Sequence, residues 1–320
     1  MPAILTHYTF AKTIYPEEYN NSSLVYLGAQ GPDVFFFYGY TKKRDDKKKI
    51  RAVGHYLHNI DIADVYSAMF EYIAKVTRDD DKEKLYAYLR GMMYHYILDR
   101  NAHPFIFYRT GAIESVERRK PTYYTHAHVF YESNLDTLMC ESYQTPRKNI
   151  KAIKTDTSDI LKISIMYKYV IDKLFKFEYF SGDTFFLSYM DMKSLQKMFY
   201  SRTGLKRMIY YPFRKKVQLW VQTNPRKAYH DDKIDYLNSN KSAWKIPDTG
   251  EERNDSFFEI FDRSAEECKV IESLIELGKT NDISKELHDF TKSINHDGCI
   301  IGNKKEHFDF CYKALKKVPF

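Results

Sequence analysis

At 320 residues with 43% hydrophobic content, the chain is long enough to bury one large core or two smaller ones, and it is not a disordered chain. No apolar run approaches the ~20 residues of a membrane span, and the four cysteines (Cys140, Cys268, Cys299 and Cys311) lack zinc-knuckle spacing. The formal net charge of +7, from 50 Lys and Arg against 43 Asp and Glu, suits a solvated surface; it also suits an anionic ligand such as a phosphodiester, lipid head group or nucleic acid, without choosing among them.

With only 12 Gly and 10 Pro, tight turns are few, which favours long helices over many short strands. The opening MPAILTHYTF has no basic stretch followed by a long apolar one, so no signal peptide is expected and a cytoplasmic, soluble protein is. A short helix is expected from Ile4 to Ile14, stopping before Pro16. A loop or partial helix then carries Leu27-Gly28-Ala29-Gln30-Gly31-Pro32-Asp33, and the charge run Thr41–Lys49 reads as a mobile surface loop.

Helical spacing follows at Ile62, Val65, Met69, Ile73 and Val76, and again from Asp80 to Ala102. Further helices are expected from about Tyr124 to Tyr143 and from Ser158 to Phe175. Ser256-x-x-Glu259 reads as a capping box opening a helix to Leu277, with Gly278 ending it. The polar stretch from about Asn224 to Asp255 is the best long-loop candidate, and no alternating strand pattern stands out. The chain is read as a helical region at 1–145 and a second, helical region at 146–320, packed on the first or continuous with it.

Seven of the eleven His lie in the first 128 residues. The key segment is Gly91-x-x-x-His95-x-x-x-Asp99-x-x-x-His103-Pro104. Residues four apart share a helix face, so His95 and Asp99 can point at one ion. Pro104 clashes with the carbonyl four residues back, so the helix is expected to end near Arg100–Ala102, freeing His103 from its phase. Met92, Met93, Tyr96, Ile97 and Leu98 make this helix apolar on most sides. Buried His and Asp need partners, and a metal ion is one such partner. An amphipathic helix whose polar face holds two His and an Asp is the bland alternative.

A second pattern, His128-x-x-x-Glu132-x-x-x-Asp136, sets imidazole and carboxylate one turn apart, a pair that suits zinc. Asp136 continues that face and reads as a residue orienting a ligand His. His7, Asp33 and His58 are each, taken alone, better read as ordinary satisfied or exposed polar residues. His230-Asp231 and His296-Asp297 read as surface pairs in polar, loop-like surroundings.

Taken in order, Thr6-His7, the Leu27–Asp33 turn, Gly54-x-x-x-His58, the His95/Asp99/His103-Pro104 segment and His128-x-x-x-Glu132 resemble the zinc-dependent phospholipase C family of bacteria, most strongly over residues 4–140. The resemblance implies an all-α fold, a multi-helical bundle with a metal cluster in a cleft, to which this chain adds C-terminal helices. It implies two or three zinc ions. One would take Asp33, His58, His95 and Asp99, a second His103, His128 and Glu132, and a third His7 with Asp99 bridging. The family also places the mature N-terminal amine on the third ion.

The activity implied is metal-assisted phosphodiester hydrolysis, with Asp33 either holding an ion or taking a proton from the attacking water. The partner would be a phosphate-ester substrate, phospholipid among the candidates. Phe35, Phe36, Phe37 and Tyr38 either line a lipid-accepting wall or pack in the core. Alternatives are a zinc nuclease or phosphatase, with nucleic acid left open as substrate, and a non-catalytic helical protein that binds metal or lipid.

Overall fold

The structure, a computed structural model, describes residues 4–111, 121–145, 153–199 and 234–303. These residues form eleven α-helices, one 3-10 segment and one short antiparallel pair. The helices are α1 (Ile4–Ile14), α2 (Ser22–Gly28), α3 (Lys47–Asn59), α4 (Ala63–Lys75), α5 (Asp79–Thr110), α6 (Pro121–Ser142), α7 (Thr157–Leu174), α8 (Thr184–Phe199), α9 (Phe257–Glu267), α10 (Lys269–Gly278) and α11 (Ser284–Thr291). The 3-10 segment spans Gly31–Phe37, and β1 (Trp244–Lys245) pairs with β2 (Glu252–Arg253). The all-helical expectation therefore holds, with the small β pair falling where a long loop was expected.

The bundle is organised on α5, which buries Leu85 to Leu89 and Gly91 to Asp99 without a break. Asp79, Asp80 and Asp81 lie in its first turn, where carboxylates complement the helix dipole. The other helices pack around it because its apolar residues face all sides. Its closest neighbour is α2, through a glycine pair. A Cβ on Gly91 would stand 2.0 Å from the Val25 carbonyl oxygen, and one on Gly28 would stand 2.1 Å from that of Tyr88. Any side chain at either position would force the two backbones apart.

On another side α9 packs against α1 and α5, with Phe261 edge-on to Phe10 at 5.0 Å. The Ser256/Glu259 capping box that opens α9 is present as expected. The helix it opens is two helices, interrupted at Cys268 before α10. Arg90 joins α5 to α10 by a two-point pair with Glu272, at 2.6 and 2.9 Å. Trp244 of β1 is buried edge-on to Phe105 at 5.5 Å, and its indole N–H donates to the Asp255 carbonyl. One hydrophobic core thus takes residues from Ile4 through Leu287.

Two local expectations are corrected. Pro104 does not end its helix; α5 continues to Thr110. Proline cannot donate to the Arg100 carbonyl, but Gly298 covers that carbonyl and the Pro104 ring so closely that a Cβ on it would stand 2.1 Å from the carbonyl oxygen. The second correction is at the charge run, where α3 begins at Lys47. The stretch before it is anchored: the buried Asp191 carboxylate of α8 accepts from the Gly39 N–H at 2.7 Å, from the Thr41 hydroxyl and from the Arg44 guanidinium. Among the described residues no helix is long and apolar enough to cross a membrane.

Candidate metal centre

Five parts of the fold deliver the eight candidate ligands. α1 carries His7, the 3-10 segment Asp33, α3 His58, α5 His95, Asp99 and His103, and α6 His128 and Glu132. Each part is fixed locally. The buried Asp136 carboxylate accepts from the Leu5 and Thr6 N–H groups (3.2 and 2.7 Å) and from the Thr6 hydroxyl, so it holds the start of α1, next to His7. Asp136 therefore anchors the start of the helix that carries His7. Gly31 turns the chain at φ 52° and lies against the His95 ring, where a Cβ would stand 2.2 Å from Cδ2. Only glycine suits both constraints, and the turn sets Asp33 beside α5.

The imidazole nitrogens converge on the carboxylates. His58 Nε2 is 3.1 Å from Asp33 Oδ1, and His95 Nε2 is 3.0 Å from Asp99 Oδ2. His7 Nε2 is 3.1 Å from Asp99 Oδ1, so the two oxygens of Asp99 serve two imidazoles. His128 Nε2 is 3.1 Å and His103 Nε2 3.6 Å from Glu132 Oε1. Because α5 does not break at Pro104, His103 stays in phase, one turn from Asp99, with Nε2 3.9 Å from Asp99 Oδ1.

Three close groups of donor atoms result: Asp33, His58 and His95; His103, His128 and Glu132; and His7, His95 and Asp99. Compared with the sets implied by the resemblance, His95 joins His7 in the third group. Asp99 approaches the first from one side, with Oδ2 3.9 Å from His58 Nε2.

The chemistry of this donor set suits zinc. Three imidazoles give their far nitrogens to main-chain carbonyls: His58 Nδ1 to Gly54 (2.7 Å), His95 Nδ1 to Ala29 (3.1 Å) and His103 Nδ1 to His296 (2.8 Å). A Nδ1–H donated to a carbonyl leaves Nε2 as the lone-pair donor, the arrangement of ligating histidines. Among the described residues the buried oxygens Asp33 Oδ2 and Glu132 Oε2 have no hydrogen-bond partner. Carboxylate oxygens in such a place cost several kcal/mol unless a cation or donor meets them.

The electrostatics point the same way. Burial pulls the His58 imidazole down, but Asp33 and Asp99 overcome it and raise it to about 9. Burial likewise opposes charge on His103, while Asp99, Glu132 and Asp297 raise it to about 10. Burial disfavours the Asp99 carboxylate, yet His95, His103 and His7 hold it well below the usual carboxylate range. Protons on His58 and His103 thus take the place of cations among these carboxylates, whereas burial lowers the His95 imidazole.

The family comparison decides which cation belongs here: the family model of zinc-dependent phospholipase C matches residues 3–179, more than half of the chain. The chain belongs to the zinc-dependent phospholipase C family. Comparison with curated proteins and with solved structures returns no match. Membership in this zinc-dependent phospholipase C family and the three donor groups together support zinc as the metal.

Sequence reasoning missed one neighbour of the centre. His296 is fully buried, with its ring 4.9 Å from that of His58 and 5.6 Å from that of His95. It had read as half of a surface pair, because its own stretch is polar and the candidate ligands it meets are some 190 positions or more away. His230-Asp231 and Cys311 lie outside the described residues. The aromatic run after Asp33 divides. Phe35 and Phe37 are fully buried and Tyr38 nearly so, whereas Phe36 stacks on His58 at 5.4 Å.

Proposed function

We propose that the chain hydrolyses phosphodiesters, with phospholipid head-group esters as the favoured substrate. Two or three zinc ions would be held by Asp33, His58, His95 and Asp99, by His103, His128 and Glu132, and by His7 with Asp99. The observation that carries this reading is the convergence of five imidazole Nε2 atoms on three buried carboxylates, two of which keep an unpartnered oxygen. When bound, zinc lowers the pKa of a water ligand and neutralises phosphate oxygens.

The residues of this chain supply the rest. Main-chain carbonyls orient three of the imidazoles, so the site is arranged before substrate arrives. Asp33 has one oxygen on His58 and the other without a hydrogen bond among the described residues, 3.9 Å from His95 Nε2, which fits it to hold an ion or to accept a proton from the attacking water. Phe36, half-buried beside His55 and His58, offers an apolar edge for the diacylglycerol portion of a lipid.

The test is zinc content by mass spectrometry on protein purified without chelator or histidine tag, beside a His95→Ala, Asp99→Ala variant. Initial rates on phosphatidylcholine vesicles, bis-p-nitrophenyl phosphate and single-stranded DNA follow. Two or three zinc per chain, lost in the variant, with turnover of phosphatidylcholine supports the reading. Turnover of DNA alone makes the chain a nuclease, and a well-folded chain that takes up no zinc overturns the metal centre altogether.

A further inference from the structure

The segment from Lys292 to Ile300 lies beyond the family match yet forms one wall of the metal centre. It is a tight, internally bonded hairpin. Ile294 bridges Ile300, and the Asn295 side-chain oxygen accepts from the Asp297 and Cys299 N–H groups, both at 3.0 Å. Lys292 and Ser293 take left-handed conformations at φ 53° and 55°, and Gly298 turns at φ 69°.

One row of α5 holds this hairpin down. The Tyr96 hydroxyl lies 2.7 Å from the Ile294 carbonyl, Arg100 donates to the Phe290 carbonyl at 3.0 Å, and Gly298 covers Pro104. Between these anchors the hairpin grips two candidate ligands through its backbone. The His296 N–H donates to the His58 carbonyl at 3.2 Å, and the His296 carbonyl accepts from His103 Nδ1 at 2.8 Å.

Its side chain has no comparable partner. Both His296 ring nitrogens are buried without a hydrogen bond among the described residues, although the ring packs against His58, His95 and Tyr96. Almost every buried imidazole nitrogen in a folded protein is satisfied, so two orphans on one ring beside a metal centre call for a ligand there. The donor count leaves room for one. Eight side chains make up the three groups, while three tetrahedral ions ask for about twelve donor positions. His296 stands outside those three groups, its ring 4.9 Å from that of His58 and 5.6 Å from that of His95.

We propose that His296 is a further metal ligand, serving the ion held by Asp33, His58 and His95, and that the hairpin bearing it also positions His58 and His103. This inference rests on the metal-centre reading above. It makes the centre of this chain a product of both ends of its sequence.

The test compares full-length wild type with His296→Ala and with His296→Gln, which keeps a polar side chain of similar size. Zinc retention is measured against graded chelator, visible absorption on the cobalt-substituted proteins, and thermal melting with and without zinc. Expected are retention of one ion weakened about 10-fold or more in both variants, a changed cobalt ligand-field spectrum, and a smaller zinc-induced rise in melting temperature. Cobalt spectra and chelator curves that superimpose on wild type overturn the proposal. So does an equal loss of melting temperature with and without zinc, which makes His296 a packing residue only. A wild type that binds no zinc overturns the metal centre and this inference together, whereas a zinc-loaded wild type with unaffected variants overturns this inference alone.

Discussion

His58 and His103 sit among carboxylates that raise their imidazoles to about 9 and about 10, against an ordinary value near 6.5. A group whose folded value is raised stabilises the fold fully below its unfolded value and loses that contribution as pH rises through the folded one. The chelated protein should therefore lose melting temperature between about pH 7 and pH 10, while the zinc-loaded protein, its imidazoles engaged, should not. Zinc must also displace those protons, so binding at neutral pH should release on the order of two per chain. Titration calorimetry in two buffers of different ionisation enthalpy reads that number, and binding without release would mean the imidazoles were not carrying protons. At Asp33 the expectation is kinetic. Asp33→Asn should lower phosphodiester turnover by about 10²-fold or more, and zinc content of the same sample separates a lost ligand from a lost proton acceptor. Unchanged initial rates would remove Asp33 from the site.

At the scale of elements, the site depends on helices held at close quarters. Gly91→Ala places a methyl group against the Val25 carbonyl, where 2.0 Å is available, and neither backbone can give way without moving α2. Overpacking of this kind costs about 1–3 kcal/mol, and urea unfolding of the chelated protein should show it as a lower midpoint. Asp136→Ala leaves two N–H groups and a hydroxyl of α1 without their acceptor, a loss of about 1–3 kcal/mol. Because α1 carries His7, zinc retention should fall with it, and an unchanged chelator curve would show that His7 holds no ion.

Much of this level was legible in the sequence. The i, i+4 spacing of His95 and Asp99, and of His128 and Glu132, is a property of one helix and needs no partner to be read. What failed were rules of local sterics and charge overruled by distant contacts. Pro104 stays inside α5 because the hairpin at Gly298 covers the carbonyl it leaves free, and Arg44 is tied down by Asp191, about 150 positions away. Asp136 was only partly legible for a related reason: the helix face it shares with His128 is visible in the sequence, but the α1 terminus it meets is not.

Across the whole molecule, the family match ends at residue 179, whereas the core does not. Phe261 covers Phe10, Trp244 and Phe257 cover Phe105, and Glu272 and Glu267 pair with Arg90 and Arg100 of α5. Helix α5 is apolar on most sides because later helices enclose it, a pattern that a half-length bundle could not satisfy. A chain truncated after residue 179 would expose Phe10, Phe105 and Tyr94 to water and leave Arg90 and Arg100 without their carboxylates. Each large side chain so uncovered forfeits about 1.5–3 kcal/mol, and a few such losses are comparable with the roughly 5–15 kcal/mol by which domains are stable. The truncated chain is therefore expected to lack a cooperative thermal transition by circular dichroism, with or without zinc. A truncated chain that melts cooperatively and still binds zinc would instead make the N-terminal half a self-sufficient metal domain, with the later helices an addition to it.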